Sequence, residues 1–275
     1  MITVVCVYND KKTMSDCLLR GLKAQAAKHE LIALDNTKGR FKSAAEALNY
    51  GGNKARGKYV MFVHQDVSLP SPNMLGEIEK TLDGLPNLGI AGAAGISGET
   101  GHVASNIMHG KPPWTAGKLR IKAPMKMQTL DECLLLVPRS VFKTLKFDEQ
   151  VCNDWHLYAV DYCLSARKLG FDAYVLPVAA HHMSTGGKTE KFYLTLGPLL
   201  KKHRDAGWIY TTTGFWNARI PMGLQKIRCF QLLVMGAAIL LNFGIIVFIE
   251  DLHSFLSRHA RQKVATAMAL VGSRR

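Results

Sequence analysis

The fold is indicated first by residues 58–70, which read KYVMFVHQDVSLP. An uninterrupted apolar run is followed at once by His64, Gln65 and Asp66, and Pro70 ends the segment. A short, continuous apolar run bounded by turn-forming residues is typical of a strand that is buried on both faces. The imidazole and the carboxylate that follow it are therefore expected at the carboxyl end of a core strand.

The same alternation of apolar runs and helical patterns extends along most of the chain. Strand-like runs lie at 2–8, 31–35, 58–63, 88–95 and 172–177, residues 131–142 read as a strand running into a helix, and helical patterns lie at 43–55, 72–84 and 153–170. This alternation predicts an α/β fold with a mostly parallel central sheet covered by helices on both faces. In such sheets ligands bind beyond the carboxyl ends of the strands.

Two further strands end in polar residues as the strand in 58–70 does. One ends in Tyr8, Asn9 and Asp10, and the other ends in Asp35 and Asn36. Asp and Asn are also common turn formers, so each group alone has a purely structural explanation. Three polar strand ends in one sheet nevertheless predict a shared ligand site at the carboxyl edge.

The charge of the chain favours an anionic partner. The formal net charge is +14 over 275 residues, and residues 201–275 hold eleven Lys and Arg against three Asp and Glu. Phosphate groups, a membrane surface and nucleic acid all suit such an excess. No recognised nucleic-acid module accompanies the charge, so nucleic acid is not expected to be the partner. Six cysteines without a C-x-x-C pair indicate reduced thiols, and the first ten residues lack the pattern of a secretion signal.

The C-terminal region, residues 191–275, is expected to form a separate helical, basic and apolar part. Residues 229–249 are 21 consecutive uncharged residues, which is enough for a helix to cross a bilayer. Residues 207–228 mix aromatic and basic side chains, as membrane-interface segments do. The sequence therefore predicts a peripheral, monotopic or single-span protein on the cytoplasmic side of a membrane. A buried core helix or an oligomer contact is the alternative, and the oligomeric state stays open.

Six segments in order resemble the family 2 glycosyltransferases of the GT-A fold. They are VVCVYND, ELIALDNTKG, ALNYGGNKARGKYVMFVHQDVSLP, LDECLLLVPRSVFKTLKFDE, VDYCLSARKLGFDAYVLP and the following HH, within residues 2–187. The resemblance implies a GT-A-like domain over residues 1–190. It also implies transfer of a sugar from a UDP-, GDP- or dTDP-sugar donor to a hydroxyl, usually with inversion and a divalent metal.

The resemblance also implies a donor site and a metal site. The donor-binding residues carried over by position are Tyr8, Asp35, Asn36, Asn49, Arg56, Gln65 and Asp66. Asp66 matches the second carboxylate of the family's Asp-x-Asp signature, and His64 replaces the first. His181 or His182 lies where the family often supplies a histidine ligand, although the pair could also be a surface loop. The expected metal is Mn or Mg, and an imidazole ligand favours Mn.

The general base is the part of the resemblance in which this chain departs most from the family. The usual position of the base falls on Ala159, and Asp161 is the acid that remains at the start of that helix. Asp161 is therefore the first candidate, with a solvated helix acid as the alternative. The reserve candidates are Asp131, Glu132, Asp154 and His156.

Four functions remain open at this point. The first is a membrane-associated, inverting glycosyltransferase that acts on a saccharide or lipid-linked acceptor in polysaccharide biosynthesis. The second is a pseudoenzyme that binds a nucleotide or a partner without transfer, which His64 and Ala159 would favour. The third is a nucleic-acid-binding protein, against which the apolar span argues. The fourth is a nucleotidyltransferase, but no Gly-rich phosphate loop opens the chain.

Overall fold

The computed structural model describes residues 1–184 and 187–225. The chain divides into two units, Met1–Arg219 and Ile220–Arg275. The predicted membrane helix at 229–249 lies outside the described residues. Within the described part of the chain, no helix combines the length and the hydrophobicity that crossing a bilayer requires.

The strands of the first unit are short and interspersed with helices, and eight of them follow one another between the helices Met74–Asp83 and Arg139–Thr144. In the described residues the strands are β1 (Ile2–Tyr8), β2 (His29–Asp35), β3 (Tyr59–Val63), β4 (Val67–Ser68), β5 (Leu88–Gly92), β6 (Ala94–Ile96), β7 (Val103–Ser105), β8 (Met108–His109), β9 (Trp114–Thr115), β10 (Met125–Met127), β11 (Thr129–Leu130), β12 (Leu134–Pro138), β13 (Asp172–Val175), β14 (His181–His182), β15 (Trp208–Thr211) and β16 (Gly214–Asn217). The helices are α1 (Lys11–Met14), α2 (Arg20–Lys23), α3 (Ala44–Lys54), α4 (Met74–Asp83), α5 (Arg139–Thr144), α6 (Tyr158–Lys168), α7 (Glu190–Lys202) and α8 (Met222–Gln225), with a π-helical turn at Ser15–Leu19 and a 3-10 turn at Arg204–Ala206.

The central sheet has seven strands in the order β10-β13-β5-β12-β3-β1-β2. Strand β1 pairs in parallel with β2 and β3, and β13 pairs in parallel with β5. Strand β12 runs antiparallel to both of its neighbours, and β10 runs antiparallel to β13. The sheet is therefore mixed, and the prediction of a mostly parallel sheet is corrected. The burial of β12 on both faces gives it the same apolar sequence as a parallel strand, so its sequence does not reveal its direction.

Helices cover both faces of the sheet, as predicted. Because successive strand residues point to opposite faces, Val4 of β1 packs in the core beside α4, whereas its neighbour Val5 packs in the core beside α3. Five cysteines are free and buried in the described residues: Cys6, Cys17, Cys133, Cys152 and Cys163.

The carboxyl ends of the first three strands meet at one edge of the sheet. Tyr8 at the end of β1 is directly opposite Asp35 at the end of β2, and β3 runs parallel on the other side of β1. A second, four-stranded sheet of order β4-β14-β8-β9 carries the histidine pair. The segment 179–187, predicted as a loop, thus contains the short strand β14 between β4 and β8.

Candidate active site

Two adjoining cavities lie at the carboxyl edge of the central sheet. The first cavity has a volume of about 490 Å³, and its lining includes Tyr8 and Asn36. The second cavity has a volume of about 350 Å³. Both cavities are lined by His64, Trp155 and Ser184. A ligand bound in one cavity would therefore be separated from a ligand in the other by little more than the His64 side chain.

A cluster of three potential metal ligands lies at the boundary between the cavities. One ligand atom from each of His64, Asp66 and His182 lies within 4.8 Å of the other two. The Nε2 atom of His182 is 3.4 Å from Asp66 Oδ1. The loop after β14 supports the cluster through Ser184. The backbone N–H of Ser184 donates to Asp66 Oδ2 at 3.1 Å, and the Oγ atom of Ser184 lies 3.0 Å from His182 Nε2.

The pKa shifts of His64 and Asp66 favour the protonation states that a metal site requires of these two groups. Burial, followed by the neighbouring His182, lowers the pKa of His64 and keeps its imidazole neutral. Burial acts to raise the pKa of Asp66, but hydrogen bonding and charge from His182 outweigh it and hold that pKa well below its usual range. A neutral imidazole and an ionised carboxylate are the protonation states in which these groups bind metal ions.

The geometry also fits a divalent ion. Ligands at about 2.1 Å from one ion lie roughly 3–4 Å from each other, and the 3.4 Å between His182 Nε2 and Asp66 Oδ1 falls in this range. The Nδ1 atom of His182 is buried without a hydrogen-bond partner in the described residues. Two imidazoles and one carboxylate form a donor set that suits Mn²⁺ better than Mg²⁺, which prefers oxygen ligands.

Of the predicted histidine pair, only His182 faces this cluster. His181 precedes it in β14, so the two side chains point to opposite faces of the strand. The Nε2 atom of His181 lies 2.9 Å from the carbonyl oxygen of Gly110. The structure therefore brings together Asp66, His64 and His182 among the four predicted ligands.

The side chain of Gln65 holds two strand ends together. Its Oε1 accepts hydrogen bonds from the backbone N–H groups of Asn9 and Asp10, both at 3.0 Å, and its Nε2 donates to Asn9 Oδ1 at 2.7 Å. These bonds join the loop after β1 to the residue between His64 and Asp66. Gln65 lines the first cavity, but its amide already has three partners inside the protein.

Beside this loop, the side chains of Tyr8 and Asp35 form a small polar group, in which Tyr8 lines the first cavity and Asp35 does not. Hydrogen bonds from the side chain and the backbone of Thr37 lower the pKa of Asp35 to about 2, and Tyr8 and Lys11 add to this effect. The Nζ of Lys11 is 3.4 Å from Asp35 Oδ2. Asn36 also lines the first cavity, where its own side chain pairs with the backbone of Phe41.

Two of the predicted donor-binding residues lie elsewhere. Asn49 is buried in α3, where its amide pairs with the backbone of Phe147 and with Glu149. Arg56 precedes β3 at the opposite edge of the sheet and forms an exposed ion pair with Glu30. The structure does not bring either residue to the first cavity.

The second cavity contains two adjacent acids, Asp131 and Glu132. Burial acts to raise the pKa of Asp131, but hydrogen bonds from the backbone N–H of Cys133 and the hydroxyl of Thr212 lower it overall. Burial, and then the charge of Asp131, raises the pKa of Glu132 to about 8. The two neighbours are therefore held in different protonation states at neutral pH.

The Glu132 carboxyl group lies at the start of α6, beside Ala159, the position at which the sequence resemblance predicts the base. Hydrogen bonding from the backbone N–H groups of Tyr158, Ala159 and Leu157 partly offsets the rise in its pKa. Its Oε1 is buried and has no hydrogen-bond partner in the described residues. Leu157 has a φ of 65°, an uncommon conformation for a bulky residue, at the position where its N–H reaches this carboxyl.

Tyr158 connects the backbone of Glu132 to His64 of the metal cluster and was not anticipated from the sequence. Its hydroxyl donates to the carbonyl oxygen of Glu132 at 3.3 Å and lies 3.0 Å from His64 Nε2. Trp155, Ser184, His109 and Trp114 also line the site without having been singled out. A sequence signal existed only for Ser184, which lies beside the predicted histidine ligand.

Asp161, the first candidate for the base, lies outside both cavities. It is buried in α6, where Oδ2 accepts from Lys202 Nζ at 2.8 Å and Oδ1 lies 2.7 Å from His203 Nε2. Lys202 also contacts Asp148 at 2.9 Å. These contacts tie the C-terminal end of α7 to α6.

Two other reserve candidates lie near the site in different settings. Asp154 forms an ion pair with Lys191 at 3.1 Å and accepts from the backbone N–H of Trp155. His156 lines the second cavity, and its Nε2 lies 3.0 Å from the hydroxyl of Thr189.

Replacing Asp161 with Asn is expected to lower the free energy of unfolding by about 3 kcal/mol, because His203 loses its buried anionic partner and Lys202 keeps only Asp148. The matched control is Asp205→Asn, which removes an exposed ion pair with Lys168 and is expected to change stability by less than about 0.5 kcal/mol. Urea unfolding of both variants measures the difference. Equal stability of the two variants would show that the buried ion pairs do not hold α7.

The comparisons with known sequences give a family assignment. A protein-family model described as "Glycosyltransferase like family" matches residues 2–216. A curated protein of Fuscovulum blasticum named "ATP synthase subunits region ORF 6" is 28% identical over 182 residues, which covers 64% of this chain and 72% of that protein.

Similar solved structures have the GT-A fold. The mannosyltransferase PcManGT from Pyrobaculum calidifontis, in complex with GDP-Man and Mn²⁺, is 15% identical with a TM-score of 0.50 over 74% of this chain. S. aureus TarS in complex with UDP-GlcNAc is 14% identical with a TM-score of 0.52 over 72% of this chain. The matched regions span 63% and 65% of those two structures, which is less than two thirds of their length. At these identities the likeness shows the fold, which is the GT-A-like α/β fold expected from the sequence.

Proposed function

We propose, since this chain belongs to the glycosyltransferase-like family, that it transfers a sugar from a nucleotide-diphosphate donor to a hydroxyl group of an acceptor. The observation that carries the proposal is the cluster of His64, Asp66 and His182 at the boundary between two cavities. A donor in the first cavity can then expose its anomeric carbon to an acceptor in the second. Attack from the side opposite the leaving group inverts the configuration at that carbon.

The first cavity is the proposed donor site. Its volume of about 490 Å³ lies in the range usual for small-ligand pockets. Tyr8 lies against the nucleoside, with Asp35 beside it, and Gln65 holds the loop that follows Tyr8. A UDP-, GDP- or dTDP-sugar is the expected donor, and the solved relatives bound to GDP-Man and UDP-GlcNAc support this class.

The metal-binding residues of this site would be His64, Asp66 and His182. A divalent ion held there supplies Lewis-acid neutralisation of the diphosphate, which makes the nucleoside diphosphate a better leaving group. The protein contributes a charged Asp66, a neutral His64 and the Ser184 loop, which orients both Asp66 and His182.

The general base is proposed to be Glu132. An acceptor hydroxyl in the second cavity gives its proton to the Glu132 carboxylate while its oxygen forms a bond to the anomeric carbon. The bond between that carbon and the diphosphate oxygen breaks, and its electron pair leaves with the nucleoside diphosphate. Asp131 keeps its charge and fixes Thr212, so it stays the reserve candidate. Asp161 is not proposed for this role, because it lines neither cavity and its carboxylate pairs with Lys202 and His203.

A screen of nucleotide sugars tests the proposal directly. UDP-, GDP- and dTDP-sugars are added with Mn²⁺ or Mg²⁺, and the melting temperature is followed, because a ligand that binds only the folded protein stabilises it. The expected result is stabilisation by one nucleotide class, stronger with Mn²⁺, together with release of nucleoside diphosphate. Binding without release would favour the pseudoenzyme, and the absence of any binding would refute the proposed donor site.

The acceptor is proposed to be presented at the cytoplasmic side of a membrane, as a lipid-linked saccharide in polysaccharide biosynthesis. The support is the basic C-terminal region with the uncharged run at 229–249. Deleting residues 226–275 is expected to release the protein from membranes and to reduce transfer to a lipid-linked saccharide far more than transfer to the free saccharide. Fractionation and transfer assays measure both effects, and an unchanged membrane fraction would contradict the proposal.

A further inference from the structure

An exposed tryptophan forms part of the wall of the second cavity. Trp114 in β9 is 53% exposed, although large aromatic side chains are usually covered. Its ring stacks on His109, with ring centroids 5.3 Å apart and an angle of 27° between the planes. One face of the indole is thus supported by the protein while the side chain remains open to a ligand.

This aromatic pair is built on the same small sheet as the metal cluster. Strand β8 pairs with β14 so that His109 is opposite His182, and the two rings are 5.2 Å apart. The Nδ1 atom of His109 lies 3.0 Å from the carbonyl oxygen of Ser184, in the loop that also holds Asp66. The position of Trp114 is therefore fixed relative to the proposed metal ligands.

The other walls of the second cavity are polar and acidic. Glu132 and Asp131 line it, together with His156 and Thr212. A ligand that lies here meets one flat apolar wall and several hydrogen-bonding groups. A sugar ring has this combination, because its C–H face is apolar and its rim carries hydroxyl groups.

We propose that Trp114, supported by His109, is the subsite for the sugar ring of the acceptor, so that the acceptor is a saccharide rather than a peptide hydroxyl or a simple alcohol. The inference rests on the proposed transferase function. With its C–H face against the indole, the ring directs a rim hydroxyl towards Glu132. A free glycan and a lipid-linked saccharide share this ring, so the subsite accepts both.

The test uses the full-length protein with the nucleoside diphosphate that stabilises it most, together with Mn²⁺. The probes are the methyl glycosides of glucose, galactose, mannose and N-acetylglucosamine. Saturation-transfer NMR detects their binding, and titration measures their affinity. At least one glycoside is expected to receive saturation at its ring C–H protons. Trp114→Ala is expected to weaken its binding roughly tenfold or more, and Trp114→Phe less than threefold.

Two controls separate this subsite from general damage. Phe215→Ala removes another partly exposed aromatic side chain, in β16 and outside both cavities, and is expected to bind the glycoside as the wild type does. The affinity for the nucleoside diphosphate is expected to stay unchanged in Trp114→Ala. A glycoside linked to a lipid carrier in vesicles is expected to show the same dependence on Trp114 as the free glycoside.

Three results would overturn the inference. The first is that no glycoside binds a protein that binds the nucleotide. The second is equal glycoside affinity in Trp114→Ala and the wild type. The third is that Trp114→Ala loses only its binding to plain vesicles, which would make Trp114 a membrane contact. Failure of the proposed function itself looks different, because the protein would then bind none of the nucleotides.

Discussion

Replacing Asp66 with Asn is expected to reduce sugar transfer by about a thousandfold or more at saturating donor. The variant keeps the shape of the side chain and an acceptor for the backbone N–H of Ser184, but it removes the one negative charge of the proposed metal site. A metal ion held by two neutral imidazoles and an amide is bound weakly, and charge neutralisation of this kind contributes several kcal/mol to the transition state.

Two measurements accompany the Asp66 variant. Electron paramagnetic resonance measures the binding of Mn²⁺, which is expected to weaken in parallel with activity. The melting temperature is expected to stay near that of the wild type. Asp83→Asn serves as the control, because it removes a carboxylate that lines neither cavity and pairs with Lys58, and its amide oxygen can still accept from the Tyr59 hydroxyl. Activity of the Asp66 variant within tenfold of the control would remove Asp66 from the reaction.

Replacing Glu132 with Gln is expected to lower kcat by a factor of about 10² to 10⁴, the usual contribution of general base catalysis. The amide oxygen of Gln can still accept the hydrogen bonds from the start of α6, so folding and donor affinity are expected to change little. The effect of the Gln variant on kcat therefore distinguishes a role of Glu132 as the base from a purely structural role as a helix cap. A cap role alone would leave kcat of the Gln variant near that of the wild type, and only Glu132→Ala would be impaired, through loss of stability.

The pH dependence of the wild type is a second readout of Glu132. Because its pKa is raised to about 8, the side chain is protonated below that pH and cannot accept a proton. At saturating donor and metal, kcat is therefore expected to rise roughly tenfold per pH unit up to about pH 7 and to level off above pH 8. A flat profile between pH 6 and pH 8.5 would transfer the role to the ionised Asp131.

The edge of the sheet could be predicted from the sequence because it depends on local patterns. The apolar run before His64 marks a core strand, and parallel neighbours such as β1 and β2 must end at the same edge. The pattern of strand ends predicted that Tyr8, Asn36, His64, Gln65 and Asp66 lie in one region. The structure places all five in the lining of the first cavity. The family resemblance offered His181 or His182 as a ligand, and the structure places His182 beside Asp66.

Other features depend on tertiary structure and could not be read from one sequence. Asp161 follows the motif position, but the face of α6 that carries it packs against Lys202 and His203 of α7. Glu132 comes from a segment 26 residues earlier and reaches the start of the same helix. Neither the contact partner of a helix face nor a contact between distant segments leaves a periodic signal.

The direction of β12 and the aromatic wall of the second cavity were missed for similar reasons. A strand buried on both faces has the same composition whichever way it runs, so β12 read as parallel. Trp114 lies in a stretch of short strands and turns, where the sequence shows neither helical nor strand periodicity. Its proximity to His182 arises only because β8 pairs with β14.

The central claim is that His64, Asp66 and His182 together hold the ion that binds the diphosphate of the donor. Diffraction data collected at the Mn absorption edge from crystals grown with Mn²⁺ and the best-binding nucleoside diphosphate test it most directly. One strong anomalous peak is expected within about 2.3 Å of atoms from all three side chains and of phosphate oxygens. A bound nucleotide whose ion lies elsewhere, with His182 or Asp66 out of reach, would contradict it.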